Sequence, residues 1–169
     1  MHNDDATLDD FDVRILEIYQ HDTQRPARAI AEAVGLSTAA VQRRLKRLRA
    51  IGVIQREVAE VVPRTVGLPI TCVVAVDLDR ETARDLDRFK RKMLAMPEIQ
   101  QCYYVTGQAD FILVALVKTM EDYEAFTRRA LLDDDNVRSF VTSVVLDRVK
   151  TGVAVPLRPA SPTRPAKRR

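Results

Sequence analysis

Apolar residues recur at helical spacing from the first ordered-looking stretch of the chain. Phe11, Ile15, Leu16, Ile18 and Tyr19 form one stripe, with Leu8 and Asp9 opening the helix that carries it. Asp9 suits the N-cap, and Asp10 and Asp12 suit the positive end of the helix dipole. Pro26 starts a second, short helix whose inner face is Ile30 and Val34, and Gly35 ends it in the left-handed backbone that a sharp turn needs. Ser37 caps a third helix, about Thr38 to Ala50, which Gly52 terminates. The next stretch, "VIQREVAEVV", is β-branched and partly alternating, so a short hairpin or wing is expected there. "PRTVGLP" reads as a linker.

Beyond the linker the period changes. "ITCVVAVDL" (70–78) predicts a strand, and residues 80–96 predict an amphipathic helix with Leu86, Phe89, Met93 and Met96 on one face. "EIQQCYYV" (98–105) and "DFILVALVK" (110–118) predict two strands joined by "TGQAD". A helix over 119–132 opens at Thr119 and turns Tyr123, Phe126 and Ala130 inward, and "VRSFVTSVVLDRV" (137–149) alternates as a last strand. The order β-α-β-β-α-β is that of a ferredoxin-like sandwich. The expected fold class is therefore α+β: a winged helix-turn-helix over 1–60, with the helix-turn-helix at about 27–46, a linker over 61–69, and a ferredoxin-like domain over 70–155. Residues 156–169, with four prolines, five cations and no acid, are expected to be a disordered tail.

Charge sharpens this division. The net charge is only +3, yet residues 25–56 hold eight basic residues against Glu32 alone. Residues 57–155 hold thirteen basic and sixteen acidic ones, so only one part of the chain suits a polyanion. Other chemistry is sparse. His2 and His21 are isolated, and Cys72 and Cys102 sit in apolar runs where buried free thiols are expected. The "DDD" at 133–135 lacks the ligand spacing of a calcium loop. No catalytic constellation, metal site or cofactor is expected. No stretch is long and apolar enough to span a bilayer, and the first residues lack a signal-peptide pattern, so a cytoplasmic protein is expected.

The third helix concentrates the positive charge. Val41, Leu45 and Leu48 share its inner face, which turns Gln42, Arg43, Lys46, Arg47 and Arg49 mainly outward. A basic face of this kind can simply be solvated. Following a short helix, a glycine turn and a Ser37 cap, with no acid one turn away, it instead has the geometry of a recognition helix in the major groove of double-stranded DNA. Small Thr38, Ala39 and Ala40 let the helix end approach the groove floor, and Gln42 and Arg43 can pair with base edges. Arg44, Lys46, Arg47 and Arg49 are expected on phosphates. In the second domain, the "VTGQAD" loop places Gly107, Gln108, Ala109 and Asp110 between two strands. Gly107 can offer backbone N–H groups to a carboxylate and Asp110 can hold an ammonium, or the two can merely shape a hairpin turn.

"LDDFDVRILEIYQHDTQRPARAIAEAVGLSTAAVQRRLKRLRAIGVI" resembles the helix-turn-helix domain of the Lrp/AsnC (feast/famine) transcriptional regulators. "IQQCYYVTGQADFILVALV" and "TSVVLDRVK" resemble the effector domain of that family, in the same order. The resemblance implies a sequence-specific DNA-binding regulator that forms homodimers through its ferredoxin-like domains, assembles further into octamers, and binds an amino acid or related small molecule. Gly107, Asp110 and Phe111 match the family's Gly-x-x-Asp-aromatic motif, and Thr142 and Ser143 fall where an adjoining subunit completes the pocket. Ala109 stands where an aromatic is frequent, and Asp135-Asn136 where Pro-Gly is usual. The alternative is a nucleoid-organising protein with little sequence preference and no effector; an enzyme has no constellation to support it.

Overall fold

The computed structural model describes residues 8–157, in two compact units: residues up to 59 together with the segment from 151, and residues 60–150.

The first unit is built on α1 (Asp10–Tyr19), α2 (Ala27–Val34) and α3 (Thr38–Ala50). Asp9 caps α1 reciprocally: its side chain accepts the Asp12 N–H at 2.8 Å, and the Asp12 side chain accepts the Asp9 N–H at 3.2 Å. Gly35 closes α2 at φ +76°, a left-handed conformation that side chains with a Cβ disfavour. The turn lets α2 and α3 share one core of Ile15, Tyr19, Ile30, Ala31, Val34, Val41 and Leu45. Phe11, expected on the inner stripe, is exposed, and Val13 is buried instead.

Residues 53–62 form no strand, so the expected wing or hairpin is absent. Alternation gives a segment strand character only where a neighbouring strand pairs with it. Here Val58, Val61 and Val62 are exposed, while Glu57 is drawn back to α3. The linker tightens into a 3₁₀ turn over Pro63–Val66. Residues 151–157 also group with the first unit, although sequence pattern alone puts 151–155 in the second. The Gln20 side-chain amide ties them there by donating to the Val155 carbonyl at 3.0 Å and accepting the Val155 N–H at 2.9 Å. The expected disordered tail falls, from residue 158 onward, outside the described residues.

The second unit contains β1 (Ile70–Leu78), α4 (Ala83–Leu94), β2 (Ile99–Tyr104), β3 (Phe111–Val117), α5 (Met120–Thr127) and β4 (Val137–Val144). The sheet is antiparallel with strand order β2-β3-β1-β4, the ferredoxin-like arrangement. Alternate residues of the central strands, Val74, Val76 and Leu78 of β1 and Phe111, Leu113 and Ala115 of β3, pack against Phe89 and Met93 of α4 and Phe126 of α5. The other sheet face carries Val73, Ala75, Ile112, Val114, Tyr103 and Val141 with no helix over it, and Tyr103 and Val141 are exposed. The helix expected over 119–132 divides: α5 ends at Thr127, and a π-helical turn takes Arg128–Leu132. The "DDD" segment is structural, with Asp134 bonded to Lys92 at 3.0 Å and to Arg88 at 3.4 Å.

Candidate nucleic-acid interface and effector loop

Ser37 starts α3 by accepting the Ala40 N–H on its Oγ at 3.2 Å. Val41, Leu45 and Leu48 are buried, which fixes the roll of the helix. Thr38, Ala39, Gln42, Arg43 and Lys46 are then exposed on the opposite side. Among the described residues Arg43 and Lys46 have no ion-pair partner, so their positive charge stays free for an anion.

The other arginines of α3 behave differently. Asp12, wholly buried at 0% exposure, receives Arg44 Nη1 on Oδ1 at 2.8 Å and Arg47 Nη2 on Oδ2. Arg44 also reaches Asp9 Oδ2 at 2.7 Å and lies 5.6 Å from the centroid of the Phe11 ring. Burial pushes the Asp9 carboxyl up, but the Asp12 N–H and the Arg44 guanidinium outweigh it and hold Asp9 below its ordinary value. Arg49 donates to Glu57 and to the Tyr19 hydroxyl, each at 2.8 Å, and that hydroxyl donates to Glu57 at 2.9 Å. The bond from Arg49, then the one from Tyr19, lowers the Glu57 carboxyl.

The expectation that Arg44, Lys46, Arg47 and Arg49 all serve phosphates is therefore corrected in part. Arg44, Arg47 and Arg49 are engaged by acids of the same unit, and Lys46 is the one of the four with a free head. No acid stands one turn away on α3 to announce this, because the partners lie about 30 residues off along the chain. Asp12 is the functional-site residue that the sequence did not reveal. Its only local signal was the Asp9-x-x-Asp12 capping pattern.

In the second unit the loop between β2 and β3 brings Gly107, Gln108, Ala109 and Asp110 together at one end of the sheet. Gly107 has φ +128°, and a Cβ added there would meet nothing within 4 Å, so backbone conformation alone demands the glycine. Asp110 is half-buried: its N–H donates to the Val76 carbonyl at 3.0 Å, and its Oδ2 accepts the Leu78 N–H at 2.7 Å. The carboxylate thus ties the loop to β1, and its Oδ1 has no hydrogen bond among the described residues. Thr142 and Ser143 are not brought to this loop within one chain. They lie on β4, opposite Val74 and Val73 of β1, where the Thr142 hydroxyl hydrogen-bonds the Tyr123 hydroxyl. Among the described residues no group of His, Cys, Asp and Glu could hold a metal, and no helix is long and apolar enough to cross a membrane.

Comparison with known proteins follows the same division. The family model of the AsnC-type helix-turn-helix domain matches residues 8–49, and that of the Lrp/AsnC ligand binding domain matches residues 71–155. The HTH-type transcriptional regulator y4tD of Sinorhizobium fredii is 47% identical over 150 residues, covering 89% of each chain. The glutamate uptake regulatory protein of Zymomonas mobilis is 33% identical over 122 residues, covering 72% of this chain and 74% of its own. A transcriptional regulator of Neisseria meningitidis, solved as a complex with L-Met, superposes with a TM-score of 0.82 at 28% identity, over 89% of this chain and 97% of its own.

Proposed function

The chain belongs to the Lrp/AsnC family of transcriptional regulators, and we propose that it reads DNA through the exposed face of α3 and answers to an amino acid held at the Gly107–Asp110 loop. The observation that carries the first half is the sorting of charges on α3. Gln42, Arg43 and Lys46 face outward beside small Thr38 and Ala39, while Asp12 and Glu57 fix the arginines behind them. Gln42 and Arg43 read base edges; Lys46 and the outer edge of Arg47 neutralise phosphate. Ser37 holds the helix end that enters the groove.

For the loop, a left-handed Gly107 beside a half-buried acid supports recognition of both charges of an α-amino acid. The L-Met of the Neisseria structure and the glutamate in the name of the Zymomonas relative support that ligand class. The uncovered apolar face of the sheet supports pairing of two copies, which brings Thr142 and Ser143 of a second subunit into play. Octamers would be a further level of the same self-assembly. The protein acts as a regulator in the cytoplasm, where the DNA lies, and turns over no substrate.

The mechanism is linkage: a ligand changes DNA affinity only as far as it binds one assembly state better than another. Thermal-shift measurements against the twenty amino acids test the effector half. A ligand at a hundred times its Kd adds ~2.7 kcal/mol to a state that alone binds it. Asp110→Asn keeps an acceptor for the Leu78 N–H and removes the charge. It should abolish the ligand's effect on DNA binding while leaving ligand-free affinity within about twofold, ~0.4 kcal/mol. A full response in that variant would reduce the loop to a turn.

A further inference from the structure

At the end of the sheet away from that loop, a groove of about 260 Å³ opens beside α5. Leu68, Val117 and Ala125 give it apolar lining, and Glu98, Lys118 and Arg129 give it charge of both signs. Three separate observations distinguish it from an ordinary surface hollow. The first is Glu98. Its Oε1 receives Arg129 Nη2 at 2.5 Å, but its Oε2 is buried with no hydrogen-bond partner. A carboxylate oxygen withdrawn from water and left without a donor is costly, so the site is one donor short. The second is the backbone that presents Arg129: the rare π-helical turn Arg128–Leu132, a distortion that recurs at functional sites. The third is Lys118, exposed on the groove and without an ion-pair partner among the described residues.

We propose that this groove is a second small-molecule site, and that it takes a zwitterion of amino-acid size whose amine meets Glu98 Oε2 and whose carboxylate meets Lys118. The size excludes larger ligands, since the groove lies below the roughly 300–1,000 Å³ of drug-sized pockets. Charge excludes simple anions, which Glu98 repels, and simple amines, which leave Lys118 unanswered. Leu68 and Val117 accept an apolar side chain. The site is separate from the Gly107–Asp110 loop. That loop joins the near ends of β2 and β3, whereas the Leu116 N–H bonds the Glu98 carbonyl at 2.8 Å at their far ends. Seven residues of β3 span about 20 Å, too far for one small ligand to bridge. The inference holds whether or not the loop binds an effector.

Titration calorimetry of the full chain with each of the twenty L-amino acids tests it, using wild type and the Asp110→Asn, Glu98→Gln and Lys118→Ala variants. At least one amino acid should bind Asp110→Asn as it binds wild type. Glu98→Gln and Lys118→Ala should each weaken that event at least tenfold, and the N-acetylated form of the same amino acid, lacking the ammonium, should not bind. If Glu98→Gln melts early, Lys118→Ala carries the test, because its exposed side chain has no partner to lose. The proposal is overturned if Asp110→Asn binds none of the twenty, or if the binding it retains is unmoved by the Lys118 change. Loss of the loop reading alone appears differently, as wild type and Asp110→Asn binding identically at a single site that Lys118→Ala weakens.

Discussion

Asp12 lies wholly buried beneath α3, and its Oδ1 accepts a hydrogen bond from Arg44 at 2.8 Å. With Arg47 on the other oxygen, one carboxylate of α1 grips two successive turns of the helix proposed to read DNA. A buried ion pair is a weak source of net stability, but it is intolerant of losing one partner. The grip therefore specifies where α3 stands more than it strengthens the fold.

Asp12→Ala should destabilise the first unit by about 3 kcal/mol, the lower part of the range for a broken buried pair, because Arg44 and Arg47 are partly exposed and can turn to water. Urea unfolding followed by a probe in that unit measures the loss. A change within half a kcal/mol would mean the two arginines hold α3 without the acid.

The cations of α3 should divide by role. Arg43→Ala should cost ~1–3 kcal/mol at a specific site and little on unrelated DNA. Lys46→Ala should weaken all DNA about equally and reduce the salt slope by ~1. Arg44→Ala should leave the salt slope unchanged and lower the unfolding midpoint instead, since its charge is already answered by Asp9 and Asp12. Affinities titrated from low to high salt separate the three; a slope change for Arg44 equal to that for Lys46 would contradict the assignment.

Acid should loosen the first unit early. Asp9 and Glu57 are both held below their ordinary values. A depressed carboxyl contributes stability that is complete above its unfolded value, near pH 4, and that fades as pH falls through the folded one. The thermal midpoint should thus hold from about pH 7 to pH 5 and drop between about pH 4 and pH 2. The Asp9→Asn, Glu57→Gln double variant should drop less over that interval. Parallel curves for the two proteins would remove these carboxylates from the acid transition.

Much of this architecture was legible because it is written in short-range signals. The caps at Asp9, Ser37 and Thr119, the glycine turn at Gly35 and the alternation of 70–78 and 110–118 each act within a few residues, and each marks an element that forms. Distant partnership was not legible. Residues 53–62 carry the alternation of a strand but have no strand beside them, so the expected wing is exposed chain. Arg44 and Arg47 looked free on α3, since the acid that binds them lies on another helix. The Glu98–Arg129 pair and the π-helical turn that delivers it depend on how α5 meets the sheet, which no local pattern encodes.

Gly107→Ala isolates backbone strain at the loop. No atom lies within 4 Å of the added Cβ, so any cost comes from φ +128° alone. A loss of about 1–3 kcal/mol in the second unit is expected, measured by denaturant unfolding, with no change in the midpoint of the first. An unchanged stability would show that the loop relaxes to negative φ at no cost.

The central claim is that the face of α3 carrying Gln42, Arg43 and Lys46 reads sequence. Duplexes selected from a random pool by the full chain provide the specific site, and affinities for that site and for scrambled DNA at one physiological salt concentration give the ratio that matters. A sequence-reading regulator should prefer its site by at least ~10³, and Arg43→Ala should cut that ratio at least fivefold. A wild-type ratio near one, with both affinities falling together as salt rises, would contradict the account and leave a protein that binds DNA by charge alone.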